Sequence, residues 1–437
     1  MKDVLRENMR IDIMIRKNKI EKQWIVLAGL LLTFFLLTGC GSEKKKVEIT
    51  FIHGFGTSED THVAMRRIYQ EFEKEYPDIK LNMISMPSSE DVVEKVGNML
   101  TVGDVPDIVF TAGEGMDSIY EYMIANGQVL DLMPYLENDE EFYQNVSPAI
   151  LEQWLTKEGA LYTVSDVILM IGYWYNQELF EEAGILEIPK TWEDFANVCE
   201  QLEKSKVQTV PLLLDTDHMM YLINAMLHET DSGEAESVHT QTINLDTAGF
   251  QKSMKYLKEL AQYTKAVDAY SFRDSLEAFN KEETAIYMNG VWGTYLINQE
   301  LNAAYAPFPS EDGESVAMIS SCIGYLLGET GDQKRIEASL EFLKYMLSEP
   351  VAQRILQETG QMPANPNVTV GKDIAGGRLY DAVESLKGAE RVIEVPANLW
   401  SREFQNAFGQ NMILYLNNKI TVEEMQKNMD ELFLSSR

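Results

Sequence analysis

The feature that most constrains this chain is a regular alternation of short apolar strands with segments of helical period. Val47, Ile49 and Phe51 alternate with polar residues, the period of a half-buried strand. His53-Gly54-Phe55-Gly56-Thr57 follows as a loop, and Ala64, Ile68 and Phe72 then recur at a spacing of four, one face of a helix. Tyr76-Pro77-Asp78 stops that helix. Residues 79–83 read as a second strand, 92–100 as a second helix, and Asp107-Ile108-Val109-Phe110 as a third strand between Pro106 and Gly113. A βαβαβ run needs crossover connections and so implies a parallel sheet covered by helices. The same grammar returns downstream. Residues 168–175, 210–214, 285–288 and 323–327 read as strands. Trp192/Phe195/Cys199/Leu202, Phe250/Met254/Leu257/Ala261 and Ile336/Leu340/Leu343/Leu347 are helix faces. Thr191-x-x-Asp194 and Thr421-x-x-Glu424 are capping-box starts. Residues 231–242 are polar and read as a surface loop. The fold class expected is α/β.

Composition narrows the function. The chain has 437 residues with 37 basic and 69 acidic side chains, a net charge of −32. Such an acid excess repels polyphosphate backbones, so nucleic acid is not expected as a partner. Hydrophobic residues at 45% are enough for a sizeable core, and the length suggests more than one domain. Three cysteines are too few for a disulfide framework, and Cys199 and Cys322 sit in apolar surroundings as inert thiols. At the N-terminus Arg16, Lys17, Lys19 and Lys22 precede an uncharged stretch at 24–37. That stretch is shorter than the roughly 20 residues of a membrane span and suits the apolar region of a signal peptide. Leu37-Thr38-Gly39-Cys40 then resembles a bacterial lipobox. The expectation is a leader at 1–39, a lipidated Cys40 that anchors the chain on the outer face of a membrane, and a tether at 40–45.

Several stretches, in order, resemble one family. They are Phe72-Glu73-Lys74-Glu75-Tyr76-Pro77-Asp78-Ile79, Gly103-Asp104-Val105-Pro106-Asp107-Ile108-Val109, and Tyr175-Asn176-Gln177-Glu178-Leu179-Phe180-Glu181-Glu182-Ala183-Gly184-Ile185, which Pro189-Lys190-Thr191-Trp192-Glu193-Asp194-Phe195 continues. Ala285-Ile286-Tyr287-Met288-Asn289-Gly290-Val291-Trp292 and Leu347-Ser348-Glu349-Pro350-Val351-Ala352-Gln353 complete the set. Together they resemble the extracellular solute-binding proteins of carbohydrate ABC transporters, the type that includes maltodextrin-binding protein. The resemblance implies a two-lobed, type II periplasmic-binding-protein-like fold with the ligand cleft between the lobes. Lobe one is expected at 46–164 and 304–348 and lobe two at 165–303 and 349–437, with the chain crossing near Val164, Tyr305 and Glu349. It implies capture of a mono- or oligosaccharide by lobe closure and delivery by a monomer to the permease of an importer. In the Gram-positive setting that the lipobox suggests, the lipid tail holds it at the cell surface. A polyamine or another small polar solute is the alternative ligand, and a membrane sensor kinase the alternative partner.

A sugar is held by aromatic faces against its C–H surface and by planar polar groups on its hydroxyls. The family places the Trp after Met288-Asn289-Gly290 in the cleft, which points to Trp292, with Gly290 freeing the backbone for a turn and Asn289 offering an amide. Trp400 and Phe404 are four apart on one helix face, and either could be the stacking aromatic the family places near there. Tyr173 reaches the cleft if Trp174, its strand neighbour, points inward. Trp192 fits the apolar stripe of its own helix and is core. Gly54 and Phe55 follow the first strand and Glu114 the third, at carboxyl ends where open α/β sheets bind ligands. Glu114 also reads as a plain loop acid. Tyr162 and Asp166 flank the first crossing. No metal, cofactor or catalytic group is expected. His218, His228 and His239 are too sparse for a metal site, Asp215-x-Asp217 is too short for a calcium loop, and the chain lacks a Gly-x-Ser-x-Gly elbow, a His-Glu-x-x-His and a phosphate loop.

Overall fold

The computed structural model describes residues 46–110, 116–205, 210–230, 248–264, 267, 271–396, 400 and 402–434. The chain opens with β1 (Val47–His53), α1 (Asp60–Glu75), β2 (Ile79–Ser85), α2 (Ser89–Thr101) and β3 (Ile108–Phe110). This is the βαβαβ run the periodicity predicts. β1 pairs in parallel with β2, from Val47↔Ile79 to His53↔Ser85, and with β3 at Phe51↔Ile108. Short helices follow, the last being α3 (Pro148–Trp154).

The next strand, β4 (Val167–Asn176), belongs to a different sheet. After it come α4 (Trp192–Lys204), β5 (Val210–Leu212), α5 (Thr216–Thr230), α6 (Phe272–Asn280) and β6 (Thr284–Gly290). β7 (Ala303–Ala306) and β8 (Val316–Ser321) add antiparallel edges, and β9 (Leu326–Leu327) goes back to the first sheet. α7 (Gln333–Leu347), α8 (Glu349–Thr359), β10 (Met362–Pro363), β11 (Arg391–Ile393), α9 (Arg402–Leu416) and α10 (Val422–Leu434) complete the chain. The first sheet runs β2-β1-β3-β9 and the second β11-β8-β4-β6-β5, with β7 and β10 also on β4. β4 can carry so many neighbours because its two halves pair separately. Ile168 faces Ser321 and Met362, whereas Tyr173 faces Ala306 and Met288.

Each sheet has its own core. In the first, Phe51 packs edge-on to Tyr69 at 4.9 Å and Phe342 edge-on to Phe72 at 5.2 Å. In the second, Trp192, Phe195 and Leu202 bury the face of α4. Three segments cross between the sheets. The first passes through Val164, which bridges to Tyr325. The second lies at 322–325 rather than near Tyr305, because β7 and β8 are needed to satisfy the free edge of β4. The third lies at 360–361 rather than at Glu349. α8 stays with the first sheet, burying Val351 and Ile355 in its core and pairing Arg354 with Glu71 and Arg67 with Glu358, each at 2.7 Å.

Cys199 and Cys322 are both buried and free, and burial pushes the Cys322 thiol up to about 12. Among the described residues no helix is long and apolar enough to cross a membrane.

Candidate ligand-binding cleft

A cavity of about 260 Å³ opens where β4 begins, just past the first crossing and beside the third. Val167, Ile168, Leu169 and Ile171 supply its apolar floor, and Trp292, Asp217, Tyr221, Gln361 and Gln405 are its aromatic and polar walls.

Trp292 stands on a single 3₁₀ turn (Val291–Tyr295) that continues β6. Gly290, just before it, is extended, with φ −71° and ψ 170°. The glycine therefore serves close approach and not the turn expected of it. A Cβ at Gly290 would lie 1.9 Å from Cζ3 of Trp292, so the indole rests on the space a side chain would fill. Trp174 holds this seat from beneath, its Nε1 donating to the Gly290 carbonyl at 3.1 Å.

Asp217 and Tyr221 come from the first turns of α5, past the carboxyl end of β5. Burial, with Asp215 behind and Glu90 across from the first lobe, raises the Asp217 carboxyl to about 6, while His218 acts in the opposite sense. It is mainly ionised at neutral pH. Asp215 is fixed, accepting the His218 backbone N–H at 2.9 Å and the Ser275 hydroxyl at 2.9 Å. Burial and the same two aspartates push the Tyr221 phenol well above its ordinary value, so it is a neutral donor. Gln361 adds an acceptor. Its Oε1 is buried without a hydrogen-bond partner among the described residues. Such an atom is costly unless a ligand donor meets it. An apolar floor, an indole, a carboxylate and a free amide oxygen can take a molecule with one C–H face and a rim of hydroxyls.

Of the residues singled out from sequence, Trp292 lines this cavity. Asn289 is fully buried, its Nδ2 donating to the Tyr287 hydroxyl at 2.8 Å and its Oδ1 accepting the Gly290 N–H at 2.7 Å, so its amide is committed within the second lobe. Tyr173 is buried edge-on to Phe195 at 5.5 Å. Trp400 and Phe404 are buried edge-on to each other at 5.8 Å, and neither lines the cavity, though Gln405, which does, donates to the Trp400 carbonyl at 2.6 Å. Phe55 is buried in the first core, stacked on Phe110 at 5.9 Å, and Gly54 is half-buried beside it. That loop is tied back because burial keeps His53 neutral, with its pKa lowered to about 3, and its Nδ1 accepts the Phe55 N–H at 3.1 Å. Tyr162 is half-buried against the first lobe. Asp166 is buried at the meeting of the crossings. Its carboxylate accepts the Tyr325 hydroxyl at 2.8 Å and its carbonyl accepts the Ala364 N–H at 2.9 Å. Glu114 and Cys40 lie outside the described residues.

Asp217, Tyr221, Gln361 and Gln405 were not singled out. Asp217 had a usable signal, since it follows a strand's carboxyl end just as Gly54 and Glu114 do. Gln361 had none, because a β-strand of two residues follows it.

Two sheets joined by three crossings, with a cavity beside two of them, define a two-lobed binding protein of type II architecture. A family model for bacterial extracellular solute-binding proteins matches residues 57–353, and the chain belongs to that family. Among curated proteins it is similar to the multiple sugar-binding protein of Streptococcus mutans, 24% identical over 382 residues that cover 80% of this chain and 85% of that protein. Among solved structures it is similar to a Streptococcus pneumoniae solute-binding protein in complex with the blood group A-trisaccharide (TM-score 0.74, 22% identity, 89% of this chain and 100% of that one). It is also similar to a chitin oligosaccharide binding protein (TM-score 0.75, 19% identity, 89% and 99% covered).

Proposed function

We propose that this chain is a lipid-anchored carbohydrate-binding protein of an ABC importer. It captures a mono- or oligosaccharide by closing its lobes and presents the closed form to the permease. The observation that carries this reading is the pairing of Trp292 with the unsatisfied Gln361 oxygen in one apolar-floored cavity. An indole face suits the C–H side of a pyranose, and Gln361 and the ionised Asp217 suit its hydroxyls. The sugar-binding names of the relatives support the same ligand class. Binding without chemistry agrees with a family of binding proteins. Cys40 is the lipid attachment point on the outer face of the membrane, in a Gram-positive organism, and the protein works as a monomer.

The test is a thermal-shift screen of residues 41–437 against sugars, polyamines and amino acids. A ligand at a hundred times its dissociation constant adds about 2.7 kcal/mol of stability. The expected result is a shift with one class of sugar, abolished in Trp292→Ala. A shift with polyamines alone would replace the carbohydrate reading with the cation that Asp217 and Glu90 also suit.

A further inference from the structure

The turn that carries Trp292 ends at Tyr295, which is 40% exposed and lies outside the core. It leans instead on the end of α8. Gly360 caps that helix in the left-handed region, with φ 70°, and a Cβ there would lie 2.2 Å from Cδ2 and 2.4 Å from Cε2 of Tyr295. The ring therefore lies directly on the glycine. Its hydroxyl donates to the Gln357 carbonyl at 3.2 Å. That carbonyl belongs to the last turn of α8, where a helix has no N–H of its own to offer. The N–H that would otherwise return to it, that of Gln361, is taken by the Thr359 hydroxyl at 3.2 Å.

We infer that Tyr295 is a positioning residue for the ligand. It clamps the turn bearing Trp292 to the helix end bearing Gln361, so that the stacking face and the hydroxyl acceptor are held as one unit. The two groups come from different parts of the fold. Trp292 extends a strand of the second sheet, whereas α8 is fastened to the first lobe through Arg354–Glu71. Sheet pairing ties the two positions indirectly, through β4, which pairs with Met362 next to Gln361 and with Gly290 before Trp292, whereas the contact of Tyr295 with Gly360 and Gln357 joins them directly. Gly360 is the other half of the clamp, since any side chain there would displace the Tyr295 ring. This inference rests on the cleft reading proposed above, but part of its test does not.

Residues 41–437 are prepared with 5-fluorotryptophan, and the Trp292 resonance is assigned by Trp292→Phe. In ligand-free protein, Tyr295→Ala should shift or broaden that resonance and leave that of Trp192 unmoved. It should also weaken the sugar found in the screen roughly tenfold, the scale expected when one well-placed contact is lost. Tyr295→Phe keeps the ring and loses only the bond to Gln357, so it should hold affinity within about twofold of the parent. It also guards against a fold collapsed by the alanine. A Trp292 resonance unmoved by Tyr295→Ala overturns the inference, whatever happens to affinity. A moved resonance with unchanged sugar affinity leaves the contact standing but overturns Tyr295 as a positioning residue for the ligand, and with it the assignment of Trp292 to the ligand.

Discussion

Asp217 and Asp166 are both carboxylates lifted by burial, and their surroundings give them different consequences. Asp217 faces the cavity with a pKa of about 6. An ionised carboxylate accepts hydroxyl protons on both oxygens, whereas a protonated one uses one oxygen as an O–H donor and has less capacity to accept. Sugar affinity should therefore rise between pH 5 and pH 7.5, and the dependence should vanish in Asp217→Asn. Titration calorimetry at the two pH values checks this, and an equally steep profile in the variant would assign the dependence elsewhere. Asp166 is sealed at the crossings, and its carboxyl is raised from 3.8 to about 7. The folded state then holds a proton that the unfolded state has released, so stability falls as pH rises from near 4 to near 7 and is level above that. The groups facing it are the Tyr325 hydroxyl, Tyr69 and Cys322. Asp166→Asn does not titrate, so its melting temperature relative to the parent should climb between pH 4.5 and pH 8. A constant difference would show that Asp166 is ionised in the fold throughout. The Met288-Asn289-Gly290 motif points to Trp292, and Trp292 lines the cavity. Periodicity alone does not reach the residues of β4 and β6. These are interior strands covered on both faces, so Tyr173 and Trp174, which point opposite ways, are both buried, and alternation cannot separate core from cleft.

At the scale of elements, local signals worked where local chemistry decides. Thr191 and Asp194 form the capping box their spacing predicts. The Thr191 hydroxyl accepts the Asp194 N–H at 3.0 Å, and the Asp194 carboxylate accepts the Thr191 N–H at 3.2 Å. The helix so started buries Trp192 and Phe195 in the second core. Thr191→Ala should cost about 1 kcal/mol in urea denaturation. Thr191→Ser, which keeps the acceptor, should recover most of it, and equal losses in the two variants would mean that the cap contributes nothing. β7 and β8 show the opposite case. Neither carries a strong pattern of its own, because each is ordered by pairing with a strand more than a hundred residues earlier. That is why the second crossing was expected near Tyr305 and lies at 322–325. α8 was misplaced for a similar reason. The lobe it joins is set by the burial of Val351 and Ile355 in the first core and by the ion pairs with Glu71 and Arg67 on α1, long-range contacts that periodicity cannot see.

At the scale of the molecule, the cleft works only if closing the lobes is nearly balanced, so that ligand can tip it. Several contacts between the lobes are hydrogen bonds close to the crossings. Gln153 and Trp154 of α3 hold Ser321 and Glu394 close to the crossings, with Trp154 Nε1 donating to the Ser321 hydroxyl at 2.6 Å. One contact is different. Glu59, just before α1, pairs with Arg273 of α6 at 2.7 Å, and these side chains are 42% and 76% exposed. Neither lies on a crossing segment, so the bridge can open as the lobes separate, and its exposure makes it weak and sensitive to salt. If it biases the closed form, Arg273→Ala lowers the closed population and weakens apparent affinity by the same factor, because ligand binds the closed form. An exposed pair is worth at most about 1 kcal/mol, so the loss should not exceed roughly fivefold. It should be present at 50 mM salt and gone at 500 mM, where screening acts over a few ångströms. Calorimetry of the parent and Arg273→Ala at both salt concentrations decides the matter. A loss that persists at high salt would mean that Arg273 acts through packing or through the ligand itself, and no loss at low salt would mean that closure is governed at the crossings around Asp166 alone.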